Sequence, residues 1–393
     1  VDGATPSSAR EEITKLPALR TAQVAAYAQN PAEVLRAKLG DGPFSMVCLF
    51  ASPDADFEAL TRAAQSLFDG ADVLACTTAG ELGAKGYQEG QIIAVGFPSE
   101  NFDITSYAID SIDDMDEQKV IDTLIQRRTA LNSRAGKMRS EFAFLMIDGL
   151  SLCEEKLASV LSSGLGSMPL FGGSSGDGED FGTTWLSHNG LIRRNAALVA
   201  LVRTRCPVRV FSLDHLIPTE TRMVVTSADP HNRLVHEINA EPAAKEYARL
   251  LGKDPNQLSA FTFAAHPVVV RLGDSHHVRA IQRVNENGDL VFFSAVNEGM
   301  VLTLANHQNI ADHLERRLSD FTTDGAPDHI LGCDCLLRRI EAEQTQAVGD
   351  ISNILQRHNV VGFSTYGEQI GGLHVNQTLT GVAIYPPLPY DPE

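Results

Sequence analysis

Three times along the chain an apolar strand, a helix and a second strand run into a cluster of hydroxyl side chains closed by glycine and an acid. The first copy, Phe44–Phe97, contains Cys76-Thr77-Thr78-Ala79-Gly80-Glu81. The second, Phe142–Val202, contains Gly172-Gly173-Ser174-Ser175-Gly176-Asp177. The third, Ile330–Tyr385, contains Gly362-Phe363-Ser364-Thr365-Tyr366-Gly367-Glu368. Each cluster is followed by a loop and another apolar strand: Ile92–Phe97, Ala196–Val202 and Leu379–Tyr385. A supersecondary unit that recurs implies recurring geometry; the alternative is convergence on a common strand–helix–strand turn composition.

Single elements fill in this frame. Phe44–Phe50, Asp72–Cys76, Gln91–Phe97 and Phe102–Ile109 have strand length and composition. Apolar residues at 57, 60, 64, 67 and 68 have helical spacing. Helices are also expected around Pro31–Leu39 and over Asp116–Arg134. Between the second and third copies the pattern turns to β. Asn189-Gly190 predicts a hairpin between Thr184–His188 and Ala196–Val202. Strands follow at Val208–Leu213, Met223–Ser227 and Leu234–Ile238, then a helix from Glu241 to Leu251. Phe261–Leu272, Val278–Val284 and Leu290–Ala295 read as further strands, the last two joined by a turn at Glu286–Asp289. The fold class is therefore α/β, with mixed, partly antiparallel sheets and packed helices, and a domain boundary near residues 228–241.

With 393 residues, 43% of them hydrophobic, the chain can bury more than one core. It carries 32 Lys and Arg against 50 Asp and Glu, a net charge of −18, and so lacks the clustered cations that nucleic acid or anionic membranes require. No apolar run approaches the ~20 residues of a membrane span. Val1–Ser8 has no positively charged leader, and six irregularly spaced cysteines do not form a disulfide framework. A cytoplasmic protein is expected.

Phosphate-loop, zinc-helix, covalent haem and dinucleotide fingerprints are absent. Gly172–Gly176 matches Gly-x-Ser-x-Gly, but a hydrolase using Ser174 or Ser175 needs a helix after the serine, and Asp177-Gly-Glu-Asp does not start one. A glycine-rich bend with close backbone approach is the better reading. Cys333 and Cys335 read as buried structural thiols. Of twelve histidines, His188, His215 and His374 stand out by position, His215 within an apolar strand over Phe211–Pro218, although a satisfied structural role is the commoner fate of each.

The ending Val361-Gly-Phe-Ser-Thr-Tyr-Gly-Glu-Gln-Ile-Gly-Gly-Leu-His-Val-Asn-Gln-Thr-Leu-Thr-Gly-Val-Ala383 resembles the C-terminal half of FIST-domain sensory proteins. Leu170–Asp177 is similar to the hallmark of their N-terminal half, and Glu237–Ala244 to the segment opening the C-terminal half. The resemblance implies a two-domain, non-enzymatic bacterial signal-input protein, with domains over 20–235 and 236–385. Asp214-His215-Leu-Ile-Pro-Thr219 and Leu331-Gly-Cys-Asp-Cys335 resemble the nitric-oxide-sensing haem branch, NosP. That branch implies non-covalent haem b with His215 on the iron, nitric oxide as ligand, and a histidine kinase or cyclic-di-GMP enzyme as partner. His188, Arg193, Arg194 and Arg222 are then candidate haem contacts, the arginines for propionates. The wider family implies instead a haem-free module sensing a small metabolite such as an amino acid. Its polar pocket would draw on Ser174, Ser175, Thr365, Tyr366, Glu368, His374 and Asn376.

Overall fold

The computed structural model describes residues 17–273 and 275–387; the Val1–Ser8 opening lies outside them. The three copies build three six-stranded sheets of one plan. In the first, Phe44–Ala51 runs parallel to Asp72–Thr77 and antiparallel to the closing strand Gln91–Pro98, whose far side takes the leading strand Arg20–Ala25. The second repeats this with Ser140–Ile147, Leu170–Ser174, Ala196–Thr204 and Phe102–Asp110. The third uses His329–Cys335, Val360–Thr365, Leu379–Ile384 and Val208–Leu213.

Each sheet is completed by a hairpin from a different copy. Glu81–Gln88 of the first copy pairs with Val360–Thr365 of the third. Leu186–Arg193 of the second pairs with Asp72–Thr77 of the first. Glu368–Val375 of the third pairs with Leu170–Ser174 of the second. The hydroxyl clusters meet where the hairpins cross, in a ring of backbone bonds: Ala79 N–H to Ser364 O (2.9 Å), Gly176 N–H to Thr77 O (3.1 Å) and Tyr366 N–H to Ser174 O (3.3 Å). The recurrence in sequence is thus a pseudo-threefold axis in space.

The inward faces of the three sheets share one core. Phe50 stacks on Phe363 at 4.6 Å and meets Phe144 edge-on at 6.4 Å, and Cys48, Cys76 and Cys333 are buried with them. Helices cover the outer faces. Helix Phe57–Leu67 starts at Asp56, whose carboxylate caps Ala59 N–H, and buries Phe57, Leu60 and Ala64. A fourth sheet, over Leu216–His307, is inserted between the leading strand of the third copy and the rest of that copy.

Three readings need correction. Asn189-Gly190 does make the hairpin, with both residues at positive φ, but its second strand is Leu191–Arg193; Ala196–Thr204 leaves for the second sheet. Phe261–Leu272 is not one strand. A capping box between Ser259 and Thr262 opens helix Ala260–Ala265, and Pro267 separates it from strand Val268–Leu272. His215 lies not within a strand but in the two-residue link between Val208–Leu213 and Leu216–Asp229.

Candidate functional site

Beside the hydroxyl cluster of the second sheet, side chains from the inserted sheet and from the exchanged hairpin close over the start of helix Glu154–Leu165. Arg233 donates to Glu154 and, at 2.8 Å, to Glu155, and its other terminal nitrogen donates to Phe293 O at 2.6 Å. Glu155 also accepts Ala295 N–H at 2.7 Å. Burial pushes the Glu155 carboxyl up, but His374 and Arg233 outweigh it and hold the group below its ordinary range. His374 Nε2 lies 3.3 Å from Phe293 O and its Nδ1 3.0 Å from the Gln369 amide nitrogen, which also donates to Ser174 Oγ (3.1 Å). Phe181 stacks on Tyr366 at 4.4 Å and leans on Phe293 at 5.8 Å.

This cluster is buried yet short of partners. Arg279 is 7% exposed, forms no ion pair among the described residues, and makes one hydrogen bond, to the Val278 carbonyl. Burial lowers its pKa, with Glu155 opposing and Arg233 adding to the shift. The Nε atoms of Arg233 and Arg279, Ser294 Oγ, Gln369 Oε1, Asn376 Oδ1 and Gln377 Oε1 all lack a hydrogen-bond partner among the described residues. An unmet buried polar group costs about 1–3 kcal/mol, so these atoms call for further partners, an ordered water or a bound polar molecule.

Of the expected pocket residues, Ser174, Tyr366, His374 and Asn376 belong to this cluster. Ser175 does not join them: its hydroxyl accepts Gly149 N–H at 3.2 Å. Thr365 and Glu368 serve each other, with Thr378 as third partner. Among the described residues no imidazole hydrogen-bonds to Ser174 or Ser175 and no helix follows them, so the nucleophile reading has no base and no elbow. Arg233, Arg279, Glu154, Glu155, Phe293 and Gln369 were missed. Arg279 did leave a trace, as the charge inside the apolar run Val278-Arg-Ala-Ile281.

Glu81 and Glu368 occupy equivalent places in their hairpins. Thr78 Oγ1 and Gln91 N–H bond to Glu81; Thr365 and Thr378 bond to Glu368. Burial raises Glu81 to about 7 and Glu368 to about 8 from 4.5. At these two positions the folded chain therefore holds protons that the unfolded chain has released, and their contribution to stability declines as pH rises from about 4.5 to about 8. The unfolding free energy from urea titration is expected to fall between pH 5 and pH 8 by roughly 2–4 kcal/mol less in Glu368→Gln than in the parent. Equal pH slopes in the two proteins would contradict this.

The residues expected around haem do not converge. His188 sits on the exchanged hairpin of the first sheet, 2.9 Å from Ser106 Oγ. Arg193 pairs with Asp110, Arg194 lies 5.1 Å from the Trp185 ring, and Arg222 is exposed on the inserted sheet. His215 itself is fully buried. Arg338 Nη1 donates to its Nδ1 at 3.0 Å, and Arg338 is anchored in turn by Asp334 at 2.7 Å. A guanidinium only donates, so the imidazole proton resides on Nε2, which donates to Glu341 at 2.8 Å. Neither nitrogen offers iron a lone pair, and the residues here do not fit a haem. His215, His307 and Glu341 bring three donor atoms within 4.8 Å of one another, but that same proton blocks a metal bond at His215. A ligating histidine turns its other nitrogen toward an acceptor, the opposite of what Arg338 presents.

Comparison with known families bears on the whole chain. Residues 45–241 match the FIST N domain and residues 243–371 the FIST C domain. The chain is a FIST protein. No curated protein matches it. FIST domains are sensory modules of signal transduction. In this FIST protein the two domains interleave. Strands Glu81–Gln88 and Val208–Leu213, within the FIST N match, complete the third sheet, and Glu368–Val375 completes the second. Among the described residues no helix is long and apolar enough to cross a membrane.

Proposed function

We propose that this FIST protein senses a small metabolite carrying a carboxylate and an amino group, an amino acid being the simplest, bound between the second sheet and the inserted sheet. One observation carries the reading: Arg279, buried without an ion pair in a region rich in unmet hydrogen-bonding atoms. A guanidinium is a natural carboxylate partner. The orphan carbonyl oxygens of Gln369, Asn376 and Gln377 can accept from an ammonium group. Glu155, held ionised, adds negative charge nearby. Phe181, Phe293 and Tyr366 supply an apolar wall for a side chain.

The proposed site joins segments far apart in sequence, so occupancy favours the arrangement in which inserted sheet, helix start and hairpin are drawn together. That population shift is a signal a partner can read. Thermal unfolding with each common amino acid, and separately with haem, tests the proposal. At a ligand concentration of 100 Kd the gain is about 2.7 kcal/mol. The expected result is a saturable rise in midpoint with one or a few amino acids, and no haem effect that depends on His215. A haem complex whose Soret band is lost in His215→Ala, with no amino-acid response, would overturn it.

A further inference from the structure

The pseudo-threefold axis makes the start of helix Phe57–Leu67 in the first copy the counterpart of the start of helix Glu154–Leu165 in the second. In the second copy that place is covered: Arg233 of the inserted sheet lies against Glu154 and Glu155. In the first copy it is open. A groove of about 800 Å³ runs there between the helix start, the loop 177–183 and the exchanged hairpin. Its floor is apolar, with Phe57, Trp185 and Ile192, and Leu191 stands at its edge 64% exposed. Asp56, Glu58, Asp177 and Asp180 line it against a single cation, Arg62. Leu191–Arg193 is moreover the outermost strand of the first sheet.

We infer that this groove docks a segment of a partner protein that presents an arginine beside aliphatic side chains. The chain supplies its own precedent in Arg233, which meets the acidic helix start of the second copy in the same way. Charge decides the sign of the occupant: Glu58 is paired with Arg62, and Asp177 is held by Tyr366 and the Gly182 and Thr183 amides, which leaves the exposed Asp56 and Asp180 to meet a cation. The half-buried Trp185 ring already carries one cation, Arg194, at 5.1 Å. Exposed aliphatic surface beside these groups favours an amphipathic segment over a free metabolite. The loop 177–183 walls the groove and also carries Phe181 to Tyr366 and Phe293. The groove thereby adjoins the ligand cluster and is placed to act as the output face. That last role rests on the ligand reading; the docking does not.

Selection of random dodecapeptides displayed against the full chain tests the docking. Trp185, the only tryptophan, reports occupancy of the groove by its emission. The expected peptides share an arginine next to Leu, Ile or Phe and shift Trp185 emission saturably. They lose at least tenfold in affinity for Asp180→Lys and for Leu191→Asp, both at exposed positions that leave the fold intact. Peptides without arginine, parental affinity retained by either variant, or no enrichment would each overturn the assignment. Arg279→Ala separates the two claims: it is expected to keep peptide binding while losing the response to amino acid.

Discussion

Gly362→Ala will fail to yield a stable folded protein. Gly362 has φ 153°, and a Cβ there would lie 1.8 Å from the carbonyl oxygen of Gly332, its partner in the neighbouring parallel strand. Backbone, unlike a flexible side chain, cannot move aside. Gly332 pairs on its other side with Gly381, where an added Cβ would lie 2.4 Å from Leu331 O. A row of three glycines thus crosses three adjacent strands of the third sheet, and Leu82 of the exchanged hairpin pairs with Gly362. Pushing these strands apart also detaches the first copy from the third. A cost above about 4 kcal/mol is expected from such a clash at a special φ. Domains carry only about 5–15 kcal/mol in total. Gly371→Ala is the control, because φ is 56° but nothing lies within 4 Å of the added methyl; it should cost about 1 kcal/mol. Urea unfolding of Gly362→Ala within about 1 kcal/mol of the parent would contradict the strand pairing described here.

The threefold recurrence was legible because each copy needs the same local chemistry where a strand turns into a hairpin. Hydroxyls, glycine and an acid satisfy the bend whatever sheet receives it. The receiving sheet was not legible. Asn189-Gly190 specifies a turn, but nothing within Leu186–Arg193 states that its partner is Asp72–Thr77, more than a hundred residues away. Backbone pairing is uniform in chemistry, and register over such distances is set by the completed core. The helix Ala260–Ala265 was readable in principle, since Ser259, Thr262 and Pro267 punctuate a run that hydrophobicity alone renders as a strand.

The site divides in the same way. Ser174, Tyr366, His374 and Asn376 sit in or beside the recurring clusters and could be marked from sequence. Arg233 and Arg279 come from the inserted sheet, which has no counterpart in the other copies, so the repeat gave no hint of them. His215 shows the reverse error. Its apolar surroundings and its resemblance to a haem branch suggested a ligand, while the groups that occupy its nitrogens, Arg338 and Glu341, lie 123 and 126 residues further on. A buried imidazole is understood only with both of its neighbours in view.

The central claim is that Arg279 is buried to meet a carboxylate that the chain does not supply. Removing it from a ligand-free protein eliminates a desolvated, unpaired cation, so Arg279→Ala should unfold no earlier than the parent. Removing it from the complex strands a buried carboxylate, at a cost of about 2–5 kcal/mol, or roughly 30- to 5,000-fold in affinity. Calorimetric titration of the amino acid that most stabilises the parent into both proteins measures this directly. The account predicts one saturable site in the parent, at least 30-fold weaker binding in Arg279→Ala, and an unfolding midpoint unchanged or raised in the variant without ligand. Equal affinity in the two proteins would contradict it.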